Sequence, residues 1–173
     1  VTADHTYTQA ELPESLRQVL QLALDKGARG PVVLRVTELA GYTDWVLILS
    51  GRSDKHVQGI TDGVLDGMAK NGTKPIGTDG LAEHTWDLLD FDDFLVHVFY
   101  HPVREFYDLE SMWNDAPRVK LEVPADVMDT SDLAGLQPPD PMPGWRGNSE
   151  FGGFDDEFDD RAGDEDDELF GTE

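Results

Sequence analysis

TDWVLILSGRSDKHVQGITDGVLDGMAKNG, residues Thr43 to Gly72, decides the fold class. Within its first third, Trp45 to Leu49 is unbroken apolar sequence, the pattern of a strand buried on both faces. Gly51 ends that run, and Ser53 stands where a helix N-cap belongs, its hydroxyl able to accept from a backbone N–H one turn on. Val57, Ile60, Val64 and Met68 then recur at helical spacing. A buried strand running straight into an amphipathic helix is the unit of an α/β protein.

Working outward, LPESLRQVLQLALDKG carries Leu16, Val19, Leu20, Ala23 and Leu24 on one helical face and stops at Gly27 and Gly30. PVVLRVTEL reads as a β-rich run. Beyond the central unit, KPIG is a short extended piece. TWDLLD and FLVHVFYH read as two strands joined at DFDD, and PVREFYDLESMW as a last helix with Pro102 in its first turn. RVKLEV adds a final extended segment. The sum is a mixed sheet of about five strands flanked by helices. Residues 8–122 make this body, preceded by a flexible segment, 1–7.

From residue 123 the composition changes. QPPDPMPG leads into FDDEFDDRAGDEDDE, and residues 124–173 hold 16 of the 36 acidic residues but only 2 of the 13 basic ones. So little apolar and β-branched content cannot offset the backbone entropy of folding, about 1–2 kcal/mol per residue. The expectation is a disordered acidic tail over 123–173, punctuated by Phe151, Phe154, Phe158 and Phe170. It either solubilises the chain or offers those rings to a partner.

The formal net charge is −23. Direct, sequence-specific nucleic-acid binding is disfavoured, since phosphates are held by Lys and Arg that displace counterions. A basic protein partner suits this charge. The chain has no Cys, which removes thiol chemistry and Cys-ligated zinc. No apolar run reaches the ~18 residues of a membrane span, and VTADHTYTQAE lacks the pattern of a signal peptide. The expected setting is the cytoplasm.

Several residues could carry chemistry. Gly59, Gly63 and Gly67, four apart on the central helix, suggest close approach of a neighbouring backbone. LSGRSD, Leu49 to Asp54, is either a capped turn or a weak anion site at a helix N-terminus. His56, His97 and His101 are either ligands or satisfied core and rim histidines. Asp90 and Asp92 are either turn residues or a pair able to share a divalent ion. Trp86, Leu88 and Asp90 fall on one face of their strand, and such a face reads either as core or as an interface anchor with a charged rim.

Three stretches, TDWVLILSGRSDKHVQGITDGV, WDLLDFDDFLVHVF and HPVREFYDLESMWNDAP, together resemble the ribosomal silencing factor family, RsfS or Iojap, over Leu16 to Pro117. The resemblance implies an α/β fold related to nucleotidyltransferases, without enzymatic activity and without a cofactor. It implies a translational repressor that binds the large ribosomal subunit through its fourteenth protein and blocks joining of the small subunit. It further implies a homodimer when free. The implied docking residues are Trp86, Leu88, Asp90, Phe91, Asp93 and Tyr107. One departure stands out: where the family has Gly in the turn, this chain has Asp92. A rival reading from the same fold is a metal-dependent nucleotidyltransferase-like enzyme using Asp90 and Asp92, with Gly51 and Ser53 as its Gly-Ser turn. A third is an adaptor whose tail carries the function.

Overall fold

The computed structural model describes residues 5–143. The expected mixed α/β architecture is present. In chain order come α1 (Glu14–Asp25), β1 (Arg29–Arg35), the short α2 (Thr37–Ala40), β2 (Trp45–Gly51), α3 (Asp54–Lys70), β3 (Gly77–Asp79), β4 (Trp86–Asp90), β5 (Phe94–Tyr100), α4 (His101–Tyr107), α5 (Leu109–Met112) and α6 (Ala125–Met128). The five strands form one sheet in the order β1-β2-β5-β4-β3. Its central β2/β5 pair is parallel, and the β1/β2, β3/β4 and β4/β5 pairs are antiparallel.

Every residue of β2 is buried, as its unbroken apolar run requires. Alternation sorts its side chains between two cores. Trp45, Leu47 and Leu49 join Val33, Leu89, Phe94, Val96 and Val98 under α1 and α3. Val46 and Ile48 face the other way, with Val32, Leu34, Trp86, Phe99, Val103 and Leu109. α3 begins as its sequence dictates: the Ser53 hydroxyl accepts from the His56 N–H at 3.0 Å. His56 then ties the turn to α1. Its Nδ1 accepts from the Arg52 N–H at 2.9 Å, so the ring proton sits on Nε2 and is donated to the Lys26 carbonyl, also at 2.9 Å. LSGRSD is a capped turn.

Four readings change. The β-rich run ends at Arg35, and its TEL portion is the one-turn α2. β5 ends at Tyr100, so His101 opens a helix rather than extending the strand. The last helix breaks at Asp108, whose φ of 49° places it in the left-handed region. RVKLEV forms only isolated bridges, Arg118 to Leu34 and Lys120 to Thr8.

Both ends of the body reach further than composition suggests. Tyr7 packs edge-on against Trp45 at 5.7 Å, with the Arg35 guanidinium over both rings. Past residue 123, Arg29 grips Asp132 with two hydrogen bonds of 2.6 and 3.1 Å and donates to the Asp129 carbonyl. Leu133 is 1% exposed. The Tyr100 hydroxyl donates to the Gln137 carbonyl at 2.5 Å, and that of Tyr107 to the Pro143 carbonyl. Residues 129–143 thus run as a strap from the start of β1, past the end of β5, to α4. The remainder of the expected tail, 144–173 with its four phenylalanines, lies outside the described residues, as do residues 1–4.

Candidate functional site: the β4–β5 hairpin and the helix beside it

β4 presents Trp86, Leu88 and Asp90 on one face and Asp87 and Leu89 on the other, as alternation requires. The Trp86 ring lies 4.9 Å from Phe99 and 5.3 Å from Tyr107, centroid to centroid. Its indole N–H donates to His97 Nδ1 at 3.1 Å. Accepting on Nδ1 requires a neutral imidazole protonated on Nε2, and complete burial enforces it by pushing the His97 pKa down to about 3. His97 is therefore a satisfied core histidine.

The two strands meet in a tight turn. Phe91 N–H donates to the Phe94 carbonyl and Asp93 N–H to the Phe91 carbonyl. Asp92 has a φ of +79°, the conformation for which Gly is suited. The strain is met locally: Asp92 N–H donates to Asp90 Oδ1 at 2.8 Å, an Asx turn. The Asp92 carbonyl accepts from the Thr43 hydroxyl at 3.2 Å. Asp90 and Asp92 therefore act as turn residues, with one Asp90 oxygen committed to the backbone. Asp92 and Asp93 are exposed, and Asp90 is half-exposed at the end of its strand. The hairpin tip is a compact acidic corner.

The six docking candidates do not share one face. Trp86, Leu88 and Asp90 share one face of β4, with Tyr107 beside Trp86. Phe91 turns to the opposite core and stacks on Phe94 at 5.0 Å. Asp93 projects at the tip. Trp86, Leu88 and Phe91 are 3%, 9% and 8% exposed, so the apolar members are covered and the acidic ones are open. Tyr107 is half-buried, its hydroxyl held by the strap.

Two polar clusters escaped the sequence reading. Asp87 is wholly buried opposite Trp86; its Oδ2 accepts from the Thr61 hydroxyl at 2.6 Å and meets His84 Nδ1 at 2.8 Å. Its Oδ1 has no hydrogen-bond partner, and burial raises its pKa. An aspartate on the α3 side of an alternating strand was the available signal. At the ends of β2 and β5, Arg104 donates to the buried Ser50 hydroxyl at 2.8 Å and pairs with Glu110 at 2.9 Å. His101 Nε2 faces Glu105 at 3.4 Å, which leaves Nδ1 to accept from the Ser50 hydroxyl at 2.8 Å; burial lowers the His101 pKa. A cavity of about 350 Å³ opens there, lined by His101, Arg104, Glu105, Asp108, Glu110 and Thr130. The three candidate histidines stay apart, and among the described residues no group of three or more His, Asp or Glu is arranged to hold a metal ion.

A family model described as ribosomal silencing factor during starvation matches residues 9–140. The chain belongs to this family. RsfS of Halalkalibacterium halodurans is 36% identical over 112 residues, which is 62% of this chain and 96% of that protein. RsfS of Bacillus subtilis is 37% identical over 98 residues, 57% of this chain and 83% of that one. A crystal structure from Bacillus halodurans superposes with a TM-score of 0.56 at 31% identity, covering 62% of this chain and 98% of that one. The β4–β5 hairpin and α4 both lie inside the family match.

Proposed function

We propose that this chain is a translational repressor. It binds the large ribosomal subunit through the fourteenth ribosomal protein and excludes the small subunit by steric occlusion, in the cytoplasm, with no catalytic step and no cofactor. It exchanges between this complex and a free homodimer. The observation that carries the reading is the family match over residues 9–140. Two physical features support it: the body is acidic, and the hairpin tip sets Asp90, Asp92 and Asp93 within four residues of one another, which suits a basic protein surface. In this reading Asp90 and Asp93 pair with cationic side chains of the partner, while Trp86, Leu88, Phe91 and Tyr107 supply the apolar contact or brace it from behind.

Co-sedimentation with separated ribosomal subunits tests it. Trp86→Ala is a poor probe, because losing a buried indole costs about 3–5 kcal/mol of fold stability. Asp93→Lys reverses an exposed charge and leaves the core alone. The expected result is binding to the large subunit only, weakened by Asp93→Lys, with fewer joined ribosomes when the parent chain is present. Equal binding to both subunits, or none, refutes it.

A further inference from the structure

The docking reading meets an obstacle in the molecule itself: Trp86 is 3% exposed and Tyr107 is already engaged. What engages Tyr107 is the end of the strap. Gln137-Pro138-Pro139-Asp140-Pro141-Met142-Pro143 crosses from Tyr100 to Tyr107, each hydroxyl donating to one strap carbonyl, at Gln137 and at Pro143. Met142 packs against the cluster that contains Trp86, Phe99, Val103 and Leu109. A proline-rich segment whose carbonyls accept from tyrosine hydroxyls is held much as a bound peptide would be, here within one chain.

The strap has a firm end and a loose end. Upstream, Leu133 is buried and Arg29 holds Asp132 and the Asp129 carbonyl. Downstream, Gln137, Pro138, Asp140 and Pro141 are exposed. Four of those seven residues are proline, with no N–H to add to a sheet. Residues 137–143 belong to no strand of the sheet; the hydroxyls of Tyr100 and Tyr107 and the packing of Met142 hold them to the body. Because the segment is tethered at Leu133, it stays at a high effective concentration at the groove even if its intrinsic affinity is low.

We propose that residues 137–143 are an internal ligand of the groove beside Tyr107 and Trp86, and that the ribosomal partner docks only when this segment lifts away. The proposal rests on the reading of that surface as the docking site. It makes the strap a competitor: a groove closed in about nine molecules of ten lowers the apparent affinity for the partner about tenfold.

The test compares three chains for binding to isolated large subunits: the full chain, one ending at Pro143, and one ending at Leu136. The last keeps the Arg29 and Leu133 anchorage. The chain ending at Leu136 is expected to bind about tenfold more tightly than the one ending at Pro143. A peptide of residues 134–143, added in trans, should displace it. Met142→Asp in the full chain loosens the strap without shortening the protein, and should shift affinity in the same direction. Equal affinity of the two truncated chains overturns the proposal. Weaker binding by the chain ending at Leu136 also overturns it, since the strap would then belong to the contact. If none of the chains binds the large subunit while all melt cooperatively, it is the docking reading that has failed, and the strap has no partner to compete with.

Discussion

The glycine stripe of α3 gives three predictions from one helix. Gly59, Gly63 and Gly67 lie at successive turns, and each Gly→Ala change gains about 0.8–1 kcal/mol of helix propensity. What separates them is the space a methyl would enter. At Gly59 an added Cβ has no neighbour within 4 Å; at Gly63 it would stand 2.8 Å from Cγ of Lys26; at Gly67 it would stand 2.5 and 2.6 Å from the two Cδ atoms of Leu22. Carbon atoms in contact prefer about 3.5–4.0 Å. Gly59→Ala therefore keeps its full gain, about 1 kcal/mol. Gly63→Ala displaces an aliphatic stem, and the gain and the cost roughly cancel. Gly67→Ala overpacks the α1/α3 seam, where such insertions cost about 1–3 kcal/mol, leaving a net loss of about 1 kcal/mol. Across the series the spread is about 2 kcal/mol, or roughly 4–8 °C in Tm for a chain of this size. Urea denaturation at constant m-value measures it directly. Adding Leu22→Ala removes the obstacle, so the double change with Gly67→Ala should cost less than the sum of its parts. If Gly67→Ala is as stable as Gly59→Ala, the close approach of α1 does not explain that glycine.

The remaining predictions concern the hairpin, the buried histidine and the strap anchor. Asp92→Gly should stabilise the fold by about 0.5–1 kcal/mol, because the left-handed strain removed exceeds the entropy glycine adds to the unfolded chain; unchanged or lower stability on chemical denaturation counts against a strained turn. His97 is held neutral in the fold, so the unfolded chain binds its proton more readily between about pH 6.5 and pH 3. Stability should fall as pH drops through that window, by about 1.4 kcal/mol per unit from this residue. His97→Gln keeps an acceptor for Trp86 and should flatten that part of the profile; identical acid slopes for both chains refute it. Arg29→Ala should free residues 129–143, visible as faster amide exchange confined to that segment and to Tyr107, while β2 and β5 keep their protection.

The centre of the sheet was legible because its signals are local. An unbroken apolar run has one reading when a capped amphipathic helix follows directly, and β2 and α3 lie where those patterns put them. The break at Asp108 was not legible, since the apolar spacing of α4 continues into α5 across it and aspartate enters the left-handed region without announcing it. Nothing in the residues themselves announced the positive φ at Asp92. At the site, alternation put Trp86, Leu88 and Asp90 on one face correctly. It could not say what lies over that face, because the cover comes from Tyr107 and from a segment far along the chain. The strap was hidden for the same reason. Its composition resembles that of an unfolded tail, and the side chain that grips it, Arg29, lies about a hundred residues away.

The order of the strands also bears on how the chain comes together. β1 with β2, and β4 with β5, are pairings of neighbours in sequence that can form early, each at the cost of a short loop. The parallel β2/β5 ladder joins Trp45 to Phe94 and Gly51 to Tyr100, across all of α3, β3 and β4. It is the slow, high-separation step, and both cores close only when it forms. Truncations in this ladder, such as Leu47→Ala or Val96→Ala, should therefore mainly retard refolding. Damage to the β3 edge or to the strap should mainly hasten unfolding.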